Sequence, residues 1–271
     1  MSGGLDIAEL AGHVKDANSF HFPIGYHLDI PSIYGIQLTK FMLIEVAAAL
    51  LMCAIFIPMA VKLRAGKPLK GRFWNMMEVF LLYLRDEVIV PSIGKKHAGQ
   101  FTPFLWTLFF FLLFCNLGGM IPWMGSPTGS LSVTAALALC TFVMVVFTGI
   151  KFHGVSGYWL GLVPHMDLPA AIAIVLKPML FCIEIAGLLI KHIVLAVRLM
   201  ANMFAGHLVL AVFLAFIPMT AGLIYVWIPV TLGSVAMSVC LSLLELFVAF
   251  LQAYIFTFLS ALFIGMSIHQ H

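Results

Sequence analysis

The sequence predicts an all-α polytopic membrane protein. It has about five membrane helices, a cytoplasmic interfacial amphipathic helix, and two final helices that are long, steeply tilted and paired as an antiparallel hairpin. Three observations carry this. Hydrophobic residues make up 63% of the 271, and several apolar runs exceed the roughly 20 residues that cross a bilayer. Permanent charge thins out along the chain, so that after Gln100 only Lys151, Asp167, Lys177, Glu184, Lys191, Arg198 and Glu245 remain. Finally, residues 179–217 and 230–268 form two proline-free runs of 39 residues each.

Taken in order, residues 1–37 form a polar N-terminal arm and residues 38–61 the first membrane helix. "KLRAGKPLKGR" follows at once, and its five basic residues mark the cytoplasmic side. The arm is therefore expected outside. Within the loop region 62–100, "FWNMMEVFLLYLRDEVIVPSIGKK" mixes aliphatic and aromatic residues with Glu78, Arg85, Asp86 and Glu87. That segment is too charged to cross, and it suits a helix lying in the interface. Residues 101–151 read as a membrane hairpin, with apolar runs near 101–121 and 131–150 joined by the Pro/Gly/Ser turn "PWMGSPTGS". Residues 152–271 supply a cytoplasmic loop and the long hairpin, so the C-terminus is expected in the cytoplasm.

Composition excludes several functions. The formal charge of +3 sits mostly in loops, where it sets orientation, and nothing supports nucleic-acid binding. Cys53, Cys115, Cys140, Cys182 and Cys240 lie singly in apolar runs, without metal-ligand spacing or a loop framework for disulfides. No metal or cofactor is expected. The N-terminus lacks the basic start and short apolar core of a cleavable signal.

The two long runs set a problem of length. At 1.5 Å per residue each would span about 58 Å, against a hydrocarbon core of about 30 Å. Splitting either would put an unsatisfied turn in lipid, so strong tilt is the alternative. On an ideal helix Lys177, Glu184, Lys191, Arg198 and Asn202 fall within a sector of about 60°, with His207 opposite Arg198. In the second run Thr231, Ser234, Ser238, Ser242, Glu245 and Gln252 share a sector of about 80°. Folding the runs about "PMTAGLIYVWIP" places Arg198 and Gln252 equidistant from residue 225, and His207 and Glu245 equidistant from residue 226. An Arg, Lys or Asp at mid-bilayer costs about 2.5 to 3.5 kcal/mol on insertion scales, and such groups mark ion pathways. The pattern suggests two aqueous half-channels that do not meet, with Arg198 as the barrier. His207 and Glu245 are the groups able to exchange protons near neutral pH in a suitable environment.

These residues resemble the a subunit family of F-type ATP synthases, the stator channel beside the rotating c-ring. "NMMEVFLLYLRDEVIVPSIGKK" looks like that family's cytoplasmic helix, and "RLMANMFAGH" with "ELFVAFLQAYIF" resembles its two core motifs. The resemblance implies that Arg198 faces ring carboxylates, assisted by Asn202 and Gln252. It implies that His207 and Glu245 serve the outer half-channel, in the branch with the histidine on the first helix, and that Glu184 serves the cytoplasmic one. Two positions depart from the family pattern: Ala201 stands where glycine is usual, and Ser130 where Asn or Asp is frequent. The expected partners are a c-ring of proton-carrying subunits, b-type peripheral-stalk subunits, other ATP synthase subunits and the lipid bilayer. The implied location is a bacterial inner membrane, and the implied role is proton translocation without catalysis.

A free-standing proton-coupled transporter is the competing reading, but the halves show no internal repeat of the kind many such folds carry. A membrane hydrolase would need a nucleophile with its base, and neither "HGVSG" nor "GHLVL" offers one.

Overall fold

A computed structural model describes residues 19–21, 27–29, 32–33, 36–37, 39–66, 71–121, 125–162, 170–222 and 224–269. Parts of the N-terminal arm pair as two small antiparallel ladders: β1 (Ser19–His21) with β2 (His27–Asp29), and β3 (Ser32–Ile33) with β4 (Ile36–Gln37). The rest is helical. The elements are α1 (Lys40–Arg64), α2 (Arg72–Tyr83), a π turn (Leu84–Ile89), α3 (Val90–Ile93), α4 (Ala98–Gly119), α5 (Leu131–Gly161), α6 (Ala170–Met219) and α7 (Ile224–Ile268).

Among the described residues five helices are long and apolar enough to cross a membrane: α1, α4, α5 and the stretches Leu176–Met219 and Tyr225–Ile268. The last two are unbroken over 44 residues each, or about 66 Å, twice the hydrocarbon thickness. Neither is split by a turn. Large apolar side chains such as Leu50, Phe147, Leu160, Leu232 and Phe247 stand exposed along these helices, an arrangement suited to lipid or a protein partner.

Local chemistry explains the element ends. Thr39 caps α1, its hydroxyl accepting from the Met42 amide, and Lys62 and Arg64 fill the last turn, where the helix dipole favours cations. The π turn lies just before Pro91, whose ring would clash with the Glu87 carbonyl in a straight α-helix. Gly154 interrupts α5 at φ 75°, ψ 167°, a conformation that favours glycine, so α5 is two helices joined at a kink.

The chain divides into two compact units. One holds Met1–Lys67, Phe110–Val133 and Leu199–Ala253, with Phe41, Ile44, Phe110, Leu112, Leu199, Met203 and Ala249 in its core. The other holds Pro68–Phe109, Thr134–Arg198 and Tyr254–His271. There the end of α7 is tied down by several contacts. The Ser267 hydroxyl donates to the Val145 carbonyl at 2.8 Å, and Nε2 of His153 meets the Ile268 carbonyl at 3.1 Å. Nε2 of His269 meets the Ile93 carbonyl at 3.2 Å. Gly265 packs so closely on the Ser92 backbone that a methyl group there would overlap it. In the same unit Trp106 Nε1 donates to the Leu81 carbonyl at 3.1 Å, holding α2 beside α4. Met77, Leu81, Leu84 and Val88 of the interfacial segment are buried. Its exposed Arg85 is held above the usual guanidinium pKa by the hydrogen bond and charge of Asp86.

Candidate functional site

The first unit contains a histidine and a carboxylate in contact inside the spans. His207 Nδ1 lies 3.2 Å from Glu245 Oε1, and the side chains are only 13% and 8% exposed. Their approach depends on Gly206, where a Cβ would stand 2.9 Å from Glu245 Oε1. His207 Nε2 is buried without a hydrogen-bond partner among the described residues. Glu245 Oε1 is likewise buried without a hydrogen-bond partner among the described residues, so the two groups are in contact without a formed hydrogen bond. Each side chain has an atom able to take a proton, and the two face one another inside the apolar stretch.

The hydroxyls of Thr231 and Ser238, from the serine-rich face of α7, are also buried without partners among the described residues. Buried polar groups that lack protein partners are natural positions for ordered water.

The same unit carries a buried hydrogen-bonded chain that begins in the turn after α4. The Ser126 and Thr128 hydroxyls are 2.7 Å apart, Thr128 Oγ1 donates to Asn116 Oδ1 at 2.6 Å, and Asn116 Nδ2 donates to the Ala249 carbonyl at 3.0 Å. Ala249 is one helical turn beyond Glu245. Gly119 lets the turn close in, because a Cβ there would collide with Ser126. Lys40 is 4% exposed at the start of α1, and a Cβ on Gly125 would be 3.2 Å from its Nζ. Its ammonium is near enough to act electrostatically on His207.

Sequence reasoning missed both Asn116 and Lys40. A single asparagine in "LLFCNLGG" reads as helix glue, and a lysine at the edge of a span reads as snorkelling. Only the turn folding back onto α4 shows that both are enclosed. Ser130, at the atypical position, pairs with Ser132, their hydroxyls 2.8 Å apart.

Asn202 is half-buried and Gln252 is 6% exposed, and no hydrogen bond joins them. Ala201 is exposed. In the second unit, Arg198 is half-buried on α6 and makes no hydrogen bond or ion pair with any described residue. The cation is thus not spent on an acid of its own chain among those residues. Glu184 is exposed and lines a cavity of about 420 Å³, together with Lys191, Tyr158, Phe263, Ser267 and His269. The structure thus brings together His207 with Glu245, and Glu184 with Lys191.

Five helices long and apolar enough to span a membrane, with a buried histidine–carboxylate contact in their apolar stretches, define a polytopic membrane protein. Residues 42–265 match the family model described as ATP synthase A chain. The chain is 41% identical to "ATP synthase subunit a" of Myxococcus xanthus (strain DK1622), over 87% of this chain and 75% of that one. It is 38% identical to the protein of that name in Chloroherpeton thalassium (strain ATCC 35110 / GB-78), over 94% and 75%. It is 43% identical to that of Anaeromyxobacter dehalogenans (strain 2CP-C), over 73% of this chain, but spans only half of that longer relative. The chain belongs to the ATP synthase A chain family, the non-catalytic proton-channel subunits of the membrane sector.

Proposed function

We propose that this chain forms two offset half-channels for protons, separated by Arg198, and couples proton flow to rotation of a neighbouring ring of carboxylate-bearing subunits. The observation that carries the reading is the buried His207–Glu245 pair on the two helices that also bear Arg198 and Gln252.

In this reading protons enter from the outer side through the polar groups around His207 and Glu245 and pass to a ring carboxylate. The ring turns, and its carboxylate meets Arg198. A cation within about 4–6 Å lowers an acid's pKa by about 1 to 3 units, which drives the proton off. It leaves past Glu184 through the cavity shared with Lys191 and His269. Asn202, one turn from Arg198 on α6, and Gln252, at matching sequence depth on α7, are the amides that assist the arginine at the ring in this reading. Each proton that crosses 100 mV delivers about 2.3 kcal/mol, and the arginine prevents that energy from leaking by a direct passage. Two continuous helices of about 66 Å, tilted across the curved flank of a ring, would touch several ring helices at once.

The assembly would include b-type peripheral-stalk subunits in a bacterial inner membrane, with the N-terminus outside and the C-terminus and the segment 72–93 on the cytoplasmic side. Disulfide trapping tests the arrangement. A cysteine at Asn202 should cross-link to a ring helix at the level of its carboxylate, whereas absence of any such product across a scan of residues 198–206 would remove the ring from the reading.

A further inference from the structure

His192 is a buried ionisable group that this mechanism leaves unused. It lies on α6 between Glu184 and Arg198 and is 4% exposed. Its Nδ1 is 2.9 Å from the Leu188 carbonyl. A carbonyl only accepts, so Nδ1 carries a hydrogen and Nε2 of the neutral ring presents a lone pair. That Nε2 is buried with no hydrogen-bond partner among the described residues. A side chain kept only for packing has no use for an unfilled acceptor, and buried orphans of this kind mark bound water or a chemical role.

The ring is held between two aromatic side chains. Phe142 of α5 and Phe263 of α7 hold it at centroid distances of 5.2 and 5.1 Å. The Leu188 carbonyl accepts from Nδ1 whether or not Nε2 is protonated. The ring can gain and lose a proton without moving. Phe263 and Leu188 both also line the cavity of about 420 Å³ that contains Glu184. The ionisable groups facing this space are Glu184 and Lys191 of α6, Tyr158 of α5 and His269 beyond α7.

We propose that His192 is a proton-relay residue behind the inner cavity, its Nε2 holding a water continuous with the cavity and passing protons to and from Glu184. A proton arriving through that water binds the Nε2 lone pair to give an imidazolium. Its loss through the same water to the Glu184 carboxylate restores the neutral ring.

The relay rests on the half-channel reading, and two measurements on the intact ATP synthase test it. In a density map of the wild-type complex that resolves waters, a water within hydrogen-bond distance of His192 Nε2 is expected, and a dry apolar contact there would overturn the relay. In liposomes, His192→Gln keeps hydrogen-bonding capacity but cannot titrate. It should lower proton conduction about a hundredfold, the low end for a positioned proton-transfer group, and flatten its dependence on cytoplasmic-side pH, with ATP hydrolysis retained. A wild-type rate and profile would overturn the relay. Arg198→Ala, measured alongside, separates the two claims. Retained coupling there defeats the half-channel reading, while lost coupling with a normal His192→Gln defeats the relay alone.

Discussion

His207 Nδ1 and Glu245 Oε1 stand 3.2 Å apart, and the space they share exists because residue 206 has no side chain. Gly206→Ala would place a Cβ 2.9 Å from Glu245 Oε1. The carboxylate is the far end of a flexible side chain, so it moves and the backbone holds. ATP-driven proton pumping into inverted vesicles should fall several-fold while the subunit still accumulates in the membrane. Unchanged pumping would show that the close contact is dispensable.

The pair also predicts an exchange. Glu245→His alone places two imidazoles together, and His207→Glu alone places two carboxylates together. Contacting residues couple by about 0.5–3 kcal/mol, so each single variant should lose about tenfold in proton-driven ATP synthesis. The double variant, which restores one acid and one histidine, should recover to within about threefold of wild type. A double variant no better than the worse single one would mean that the helices read the two positions separately.

Asn116 bridges Thr128 to the Ala249 carbonyl in a fully buried setting. Asn116→Ala removes two buried hydrogen bonds, at about 0.5–1.5 kcal/mol each. The expected result is a lower temperature for thermal inactivation of the detergent-solubilised complex, by several degrees. Equal inactivation temperatures would mean that water or a neighbouring side chain takes over both bonds.

Gly265→Ala tests how the C-terminal part of α7 seats. Its Cβ would overlap the backbone of Ser92, which cannot rotate away as a side chain does. Membrane levels of the subunit should drop sharply. Gly157→Ala, whose Cβ would be 3.5 Å from the nearest atom, should accumulate nearly normally. Similar levels for the two would show that the interfacial segment moves to accommodate the methyl group.

Much of the fold was legible because its signals are local. Apolar length gives spans, and the proline-free runs 179–217 and 230–268 lie unbroken within Ala170–Met219 and Ile224–Ile268, which also run on through Pro178 and Pro229. The contact between His207 and Glu245 was legible from equal sequence distances about one turn, since antiparallel helices convert such symmetry into equal depth. The turn at residues 125–130 was legible as a turn, but its packing was not. Its hydroxyls pair with Asn116 through a tertiary closure allowed by Gly119, and no periodicity announces that. The kink at Gly154 was hidden too, since a glycine in an apolar helix does not reveal its φ. His192 belongs to none of the sequence motifs, and its significance lies in an unfilled nitrogen, which only packing defines.

The central claim is that Arg198 separates two proton paths, and the most direct measurement compares Arg198→Ala with wild type in liposomes carrying the whole ATP synthase under an imposed proton gradient. The account predicts that the variant makes no ATP and that the gradient decays faster than with wild type. Full ATP synthesis with a gradient as well held as in wild type would contradict it.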